Sequence, residues 1–138
     1  MSARDERGTV TLWVLGLCIC VLFLGGIGVD LWRGIAARRD LAALADAVAT
    51  AAANGVDEGA LRDGVVALDP ERVRAIAVDT LRRDGRYSEL DAASVTVVGD
   101  EVVVTLEDDV PLSLLDLFDG NEPFTVRVTA GARPGERT

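Results

Sequence analysis

The stretch TVTLWVLGLCICVLFLGGIGV, from Thr9 to Val29, decides the architecture of this chain. It holds 21 consecutive positions without a charge, and twelve of them are Leu, Ile, Val or Phe. As a helix rising ~1.5 Å per residue it spans about 32 Å, against roughly 30 Å for a bilayer's hydrocarbon core. At about −0.3 to −0.6 kcal/mol each, these residues outweigh Gly16, Gly25, Gly26, Gly28 and two threonines. The expectation is one membrane-spanning helix with a small acidic domain carried on it.

A cleaved secretory signal would show an apolar core of about 7–15 residues and then a small-x-small site. Here the run is longer and Asp30-Leu31-Trp32-Arg33 follows it directly, so an uncleaved anchor is expected. Flanking arginines leave the orientation open: Arg4 and Arg7 on one side, Arg33, Arg38 and Arg39 on the other.

The whole chain has 138 residues and a net charge of −9, enough for one small domain beyond the anchor. From Asp40 onward there are 20 acids against nine arginines, a balance of −11, whereas Met1 to Arg39 carries +2. So acidic a domain is not built to meet nucleic acid phosphates or to spread on an anionic lipid surface. Cys18 and Cys20 both lie in the apolar run, two residues apart and on different helix faces, so they read as small apolar fillers.

Beyond the anchor no breaker intervenes before LAALADAVATAAANG, Leu41 to Gly55, with eight alanines and a closing Asn54-Gly55. A helix continuous from Thr9 to Ala53 would run ~68 Å. Leu41, Leu44, Val48 and Ala52, at i, i+3, i+7 and i+11, form one narrow apolar stripe. Such a stripe wants a partner at close range, and a like helix of another chain is the expectation. Asp46 sits among the alanines, either on the wet face or at a polar contact within an assembly. Asp30 reads as the polar boundary of the anchor. Asp30, Leu41, Leu44, Asp46, Val48 and Ala52 together are the candidate assembly residues.

Asn54 to Asp69 reads as a connector with a weak helical turn around Ala60 to Ala67. Asp69-Pro70-Glu71 starts a helix with a side-chain cap, a first-position proline and a first-turn acid. Its apolar face is Val73, Ile76, Ala77 and Leu81, and Arg82-Arg83-Asp84-Gly85 ends it. After Ser94 the period becomes two. Ser94 to Val98 and Glu101 to Glu107 flank Gly99-Asp100, a two-residue hairpin turn, with Val95 and Val97 facing as Val102, Val104 and Leu106 do. Pro111 to Phe118 reads as a short apolar turn or helix, and Phe124, Val126, Val128 and Ala130 alternate along a third strand. The fold class is α+β: the long helix, then a head with one helix on a three-stranded antiparallel sheet. Domain boundaries are expected at 1–30 for tip and anchor, 31–55 for the alanine-rich extension, and 56–138 for the head.

Catalytic chemistry finds little purchase. The chain has no His, four Ser, one Tyr and two Cys within the anchor, so the usual nucleophile–base pairs lack a base. Asp108, Asp109, Asp116, Asp119 and Glu122 read as a solvated acidic edge. In DLFDGNE, Asp116 to Glu122, the acids approach a calcium-loop spacing, but Phe118 stands where an oxygen ligand belongs. No enzyme activity, metal or cofactor is expected.

Arg7-Gly8 before the apolar helix, Val29-Asp30 at its end, Arg38-Arg39-Asp40-Leu41, and Ala45-Asp46-Ala47 with alanines behind it form an ordered set. In this order and spacing the first 55 or so residues resemble the N-terminal segment of TadE/TadG-like proteins of Tad (Flp) pilus assembly. The resemblance implies a single-pass membrane protein, N-terminus cytoplasmic and C-terminal domain outside, partnering the membrane and other pilus-system proteins in a surface filament of the type IV class. A prepilin-type cleavage at Gly8 would want an acid where Trp13 stands, so an unprocessed anchor is expected. The competing reading is a membrane-tethered extracytoplasmic binding or sensor module, in which the alanine helix is only a stalk.

Overall fold

A computed structural model of the chain describes residues 3–88, 90–111 and 124–135, with side chains from Thr9 onward. One unbroken helix, α1 (Ala3–Ala52), takes up the first 50 of these positions, about 75 Å at ~1.5 Å per residue. Between Thr9 and Gly25 every position is exposed, whereas Leu41, Leu44, Ala45, Val48, Ala49, Ala52 and Ala53 are buried. One helix therefore has a bare half and a covered half.

What stops α1 is local. Asn54 Nδ2 donates to the carbonyls of Thr50 and Ala51 at 3.2 and 3.3 Å, and Gly55 N donates to Ala52 O at 2.9 Å. These bonds occupy carbonyls that the helix end would leave open. Gly55 follows for a reason of space. A Cβ there would lie 2.8 Å from Val73 N and 3.0 Å from Val73 Cα.

The connector holds a short helix, α2 (Glu58–Arg62), started by Asp57, whose carboxylate accepts from Gly59 N at 2.7 Å. It lies earlier than the turn expected at Ala60 to Ala67, because Asp57 supplies a cap. Helix α3 (Pro70–Asp84) begins as its sequence indicates: Asp69 Oδ1 accepts from Glu71 N at 3.0 Å, and Gly85 ends the helix at φ 83°. Val73, Ala77 and Leu81 are buried, and Ile76 half-buried.

Three antiparallel strands complete the head in spatial order β1 (Ala92–Val98), β2 (Glu101–Val110), β3 (Phe124–Ala132). Val98 pairs with Glu101 across Gly99-Asp100, with Gly99 at φ 65°. β2 runs three residues past its expected end at Glu107, since Asp108, Asp109 and Val110 pair with Val126, Thr125 and Phe124. Asp109 N also donates to Asp91 Oδ2 at 2.8 Å. The rest of the apolar turn expected at Pro111 to Phe118, from Leu112 on, lies outside the described residues, as do Asp116, Asp119 and Glu122.

Alternation splits the sheet into two faces. Val95, Val97, Val102, Val104, Leu106, Val126, Val128 and Ala130 point inward, joining the core formed with α1 and α3. The outer face is polar: Thr105 and Thr129 hydroxyls lie 3.1 Å apart, Arg127 pairs with Glu107 at 2.7 Å, and Thr125 donates to Asp109 at 2.7 Å. Two helices, α1 and α3, thus share the inner face.

Candidate functional site

The apolar stripe of α1 is where sequence and tertiary structure meet. At ~100° per residue, positions 30, 34, 37, 41, 45, 48 and 52 fall along one side of the helix. Leu41, Leu44, Val48 and Ala52 are 2, 5, 0 and 0 % exposed. They are covered by this chain's own sheet and α3. The close-range partner expected from another chain is thus supplied within the chain. A stripe records that a face is apolar; it does not record who covers it.

Asp30 belongs to the same side. It is 1 % exposed, the buried charged residue among those described, with Arg33 Nη1 3.8 Å from Oδ1. Rather than standing at a wet boundary, it lies beneath the head. The signal was in the sequence, because Asp30, Ala37, Leu41, Leu44 and Val48 share one helical face. Asp46 points the other way and is exposed, together with Ala43, Ala47 and Thr50. The six candidate residues therefore divide into five that the head covers and one that it leaves free.

The head runs along α1 in a definite direction. A Cβ on Gly34 would lie 3.9 Å from Phe124 Cε1, at the start of β3, while Gly55 meets the start of α3. The Val110–Phe124 end of the sheet therefore sits next to the bare half of α1, and the Gly99-Asp100 hairpin sits far from it. Near the low end the Arg86 guanidinium bonds Asp84 at 2.8 Å. That bond, and then the charges of Asp40 and Asp108, hold it above its ordinary range.

Trp13 and Trp32 are 77 and 68 % exposed near the two ends of the apolar run. Nineteen positions apart, they are separated by roughly 28 Å along the axis, close to a bilayer's hydrocarbon thickness. Sequence reasoning passed over this pair, although indoles are enriched at both membrane–water interfaces. A cavity of about 430 Å³ opens just beyond Trp32, between α1 and β3. Among the described residues no group of three or more His, Cys, Asp or Glu is placed to hold a metal ion.

Residues 8–55 match the model of a family described as putative Flp pilus-assembly TadE/G-like. Over these residues the chain is similar to that family. This segment comprises the apolar run, Asp30, the stripe and the Asn54-Gly55 stop, so every candidate assembly residue falls inside it. A putative pre-16S rRNA nuclease of Mycolicibacterium paratuberculosis (strain ATCC BAA-968 / K-10) is 44% identical over 81 residues. The alignment covers 54% of this chain and 48% of that protein, so the chain spans about half the length of the curated relative it matches. No solved structure matches the chain.

Proposed function

We propose that this protein is a single-pass, membrane-anchored, non-enzymatic component of a Tad/Flp pilus system, acting as an assembly factor or minor-pilin-like subunit. The observation that carries the reading is the match of residues 8–55, laid onto one helix whose bare apolar half is long enough to cross a bilayer and whose other half carries a folded head. Residues 1–30 form the tip and anchor, 31–55 the helical extension, and 56–138 the remainder of the extracytoplasmic head. Leu41, Leu44, Val48 and Ala52 serve assembly by fixing the head to the helix. Contacts with neighbouring subunits use the face that carries Asp46, Ala43 and Ala47. The N-terminus is cytoplasmic and Arg4 to Gly8 stay attached, since Trp13 stands where a prepilin peptidase wants an acid.

The match to a nuclease does not change this reading. An RNA substrate would approach a surface with 20 acids and nine arginines from Asp40 on, and phosphate binding needs the opposite charge.

Topology and partnership test the proposal together. In a chain with Cys18 and Cys20 replaced by alanine, single cysteines at Ser2 and Ser94 are exposed to an impermeant thiol reagent in intact cells. Labelling at Ser94 alone is expected, with co-purification of pilus-system proteins on the full chain. Labelling at Ser2 alone overturns the orientation. If no pilus-system protein co-purifies, and an unrelated helix of equal length replaces the alanine-rich extension without loss, the tethered sensor takes its place.

A further inference from the structure

The cavity between α1 and β3 opens just past the apolar run. Its walls are Leu31 and Ile35 on α1 and Phe124 and Val126 on β3, with Arg38, Arg127 and the buried Asp30 also lining it, the last paired with Arg33 at 3.8 Å. Leu31, Ile35 and Phe124 are 56, 51 and 51 % exposed, so the apolar wall is open. Arg38 has no ion pair among the described residues, and Arg127 is tied to Glu107 through Nε. β3 is an edge strand of the sheet, so alternate backbone N–H groups point away from β2.

Position along the helix matters as much as composition. Gly34 and Arg38 lie five and nine residues past Val29, about 7 and 13 Å beyond the apolar run. Side chains on a helix lean toward its N-terminus, which here is the direction of the membrane, so a guanidinium at position 38 drops back toward the phosphate plane.

We propose that this groove binds an anionic phospholipid of the adjoining leaflet: the phosphate on Arg38, with the β3 edge beside it, and the upper acyl chain against Leu31, Ile35 and Phe124. The inference rests on the membrane-anchored reading. The charge of the head sharpens it, because a surface this acidic repels anionic lipid in general. Any preference for such lipid has to come from one local site. The occupant is continuous with the bilayer around Thr9 to Val29 and complements Arg38, which has no ion pair among the described residues, while the Asp30 carboxylate in the same groove is paired with Arg33.

The test uses the full chain in mixed micelles of equimolar phosphatidylglycerol and phosphatidylcholine, with retained lipid counted by native mass spectrometry. One phosphatidylglycerol is expected to be retained about fivefold over phosphatidylcholine, the scale of one arginine near a membrane surface. Arg38→Gln should abolish the preference, Arg38→Lys should keep it, and Arg74→Gln, an equal charge change on exposed α3, should leave it intact. Equal retention of the two lipids by the wild-type chain overturns the proposal without needing any variant. So does equal loss in the Arg38 and Arg74 variants, displacement by soluble glycerol 3-phosphate, or a second copy of the chain seated in the groove. The anchor reading is checked separately by partition into phosphatidylcholine vesicles: failure there sinks both, whereas partition without lipid preference sinks only the groove.

Discussion

Replacing Gly55 by alanine probes the junction on which the head depends. The new Cβ would sit 2.8 Å from Val73 N, 3.0 Å from Val73 Cα and 3.0 Å from Val73 Cγ2, and two of these atoms are α3 backbone. Backbone cannot rotate aside, so α3 must move off α1, loosening the buried contacts of Val73, Ala77 and Leu81. Overpacking of this kind costs ~1–3 kcal/mol. Gly55 is not among the glycines with positive φ, so alanine also recovers some unfolded-chain entropy, about 0.4–1 kcal/mol. The clash wins, with a net loss of about 1–2 kcal/mol. For a head of this size that lowers Tm by roughly 5–15 °C, measured by circular dichroism of the full chain in detergent. Gly34→Ala is the internal control. Its Cβ meets only Phe124 Cε1 at 3.9 Å, an ordinary contact, and mid-helix alanine is better than glycine by about 0.5–1 kcal/mol. The two substitutions should therefore move Tm in opposite directions. A Gly55→Ala chain as stable as wild type would refute the close approach of α3 to the end of α1.

Other positions give shorter tests on the same chain. Ala52→Leu places a large side chain at a fully buried site and should cost ~1–3 kcal/mol, whereas exposed Ala43→Leu should stay within ~0.5 kcal/mol, both from denaturant titration. Asp46→Ala should likewise leave stability within ~0.5 kcal/mol, and a defect in pilus formation or partner co-purification would then report an assembly contact rather than a folding fault. Asp69→Ala removes the cap accepting from Glu71 N and should lower stability by ~1 kcal/mol; no change would mean that water replaces it. Mass spectrometry of membrane-extracted protein should find a fragment containing Arg4 to Gly8, and an N-terminus at Thr9 would show peptidase processing.

Much of this protein is determined one segment at a time. The uncharged run, the alanine-rich continuation, the Asp69-Pro70 start and the Gly99-Asp100 turn each depend on neighbours within a few residues, so their reading needs no knowledge of the fold. Period-two alternation likewise showed which side of each strand turns inward. The pairing of faces is another matter, because an apolar stripe binds whatever apolar surface the chain brings to it, and hydrophobic burial has no direction of its own. Leu41, Leu44, Val48 and Ala52 could have met another chain; only the folded head shows that β2, β3 and α3 cover them. The same head reaches down far enough to bury Asp30 and to form the groove at Arg38. Gly55 teaches the same lesson at the scale of one atom, for its stop signal is local but its lack of a Cβ is required by Val73, eighteen residues away.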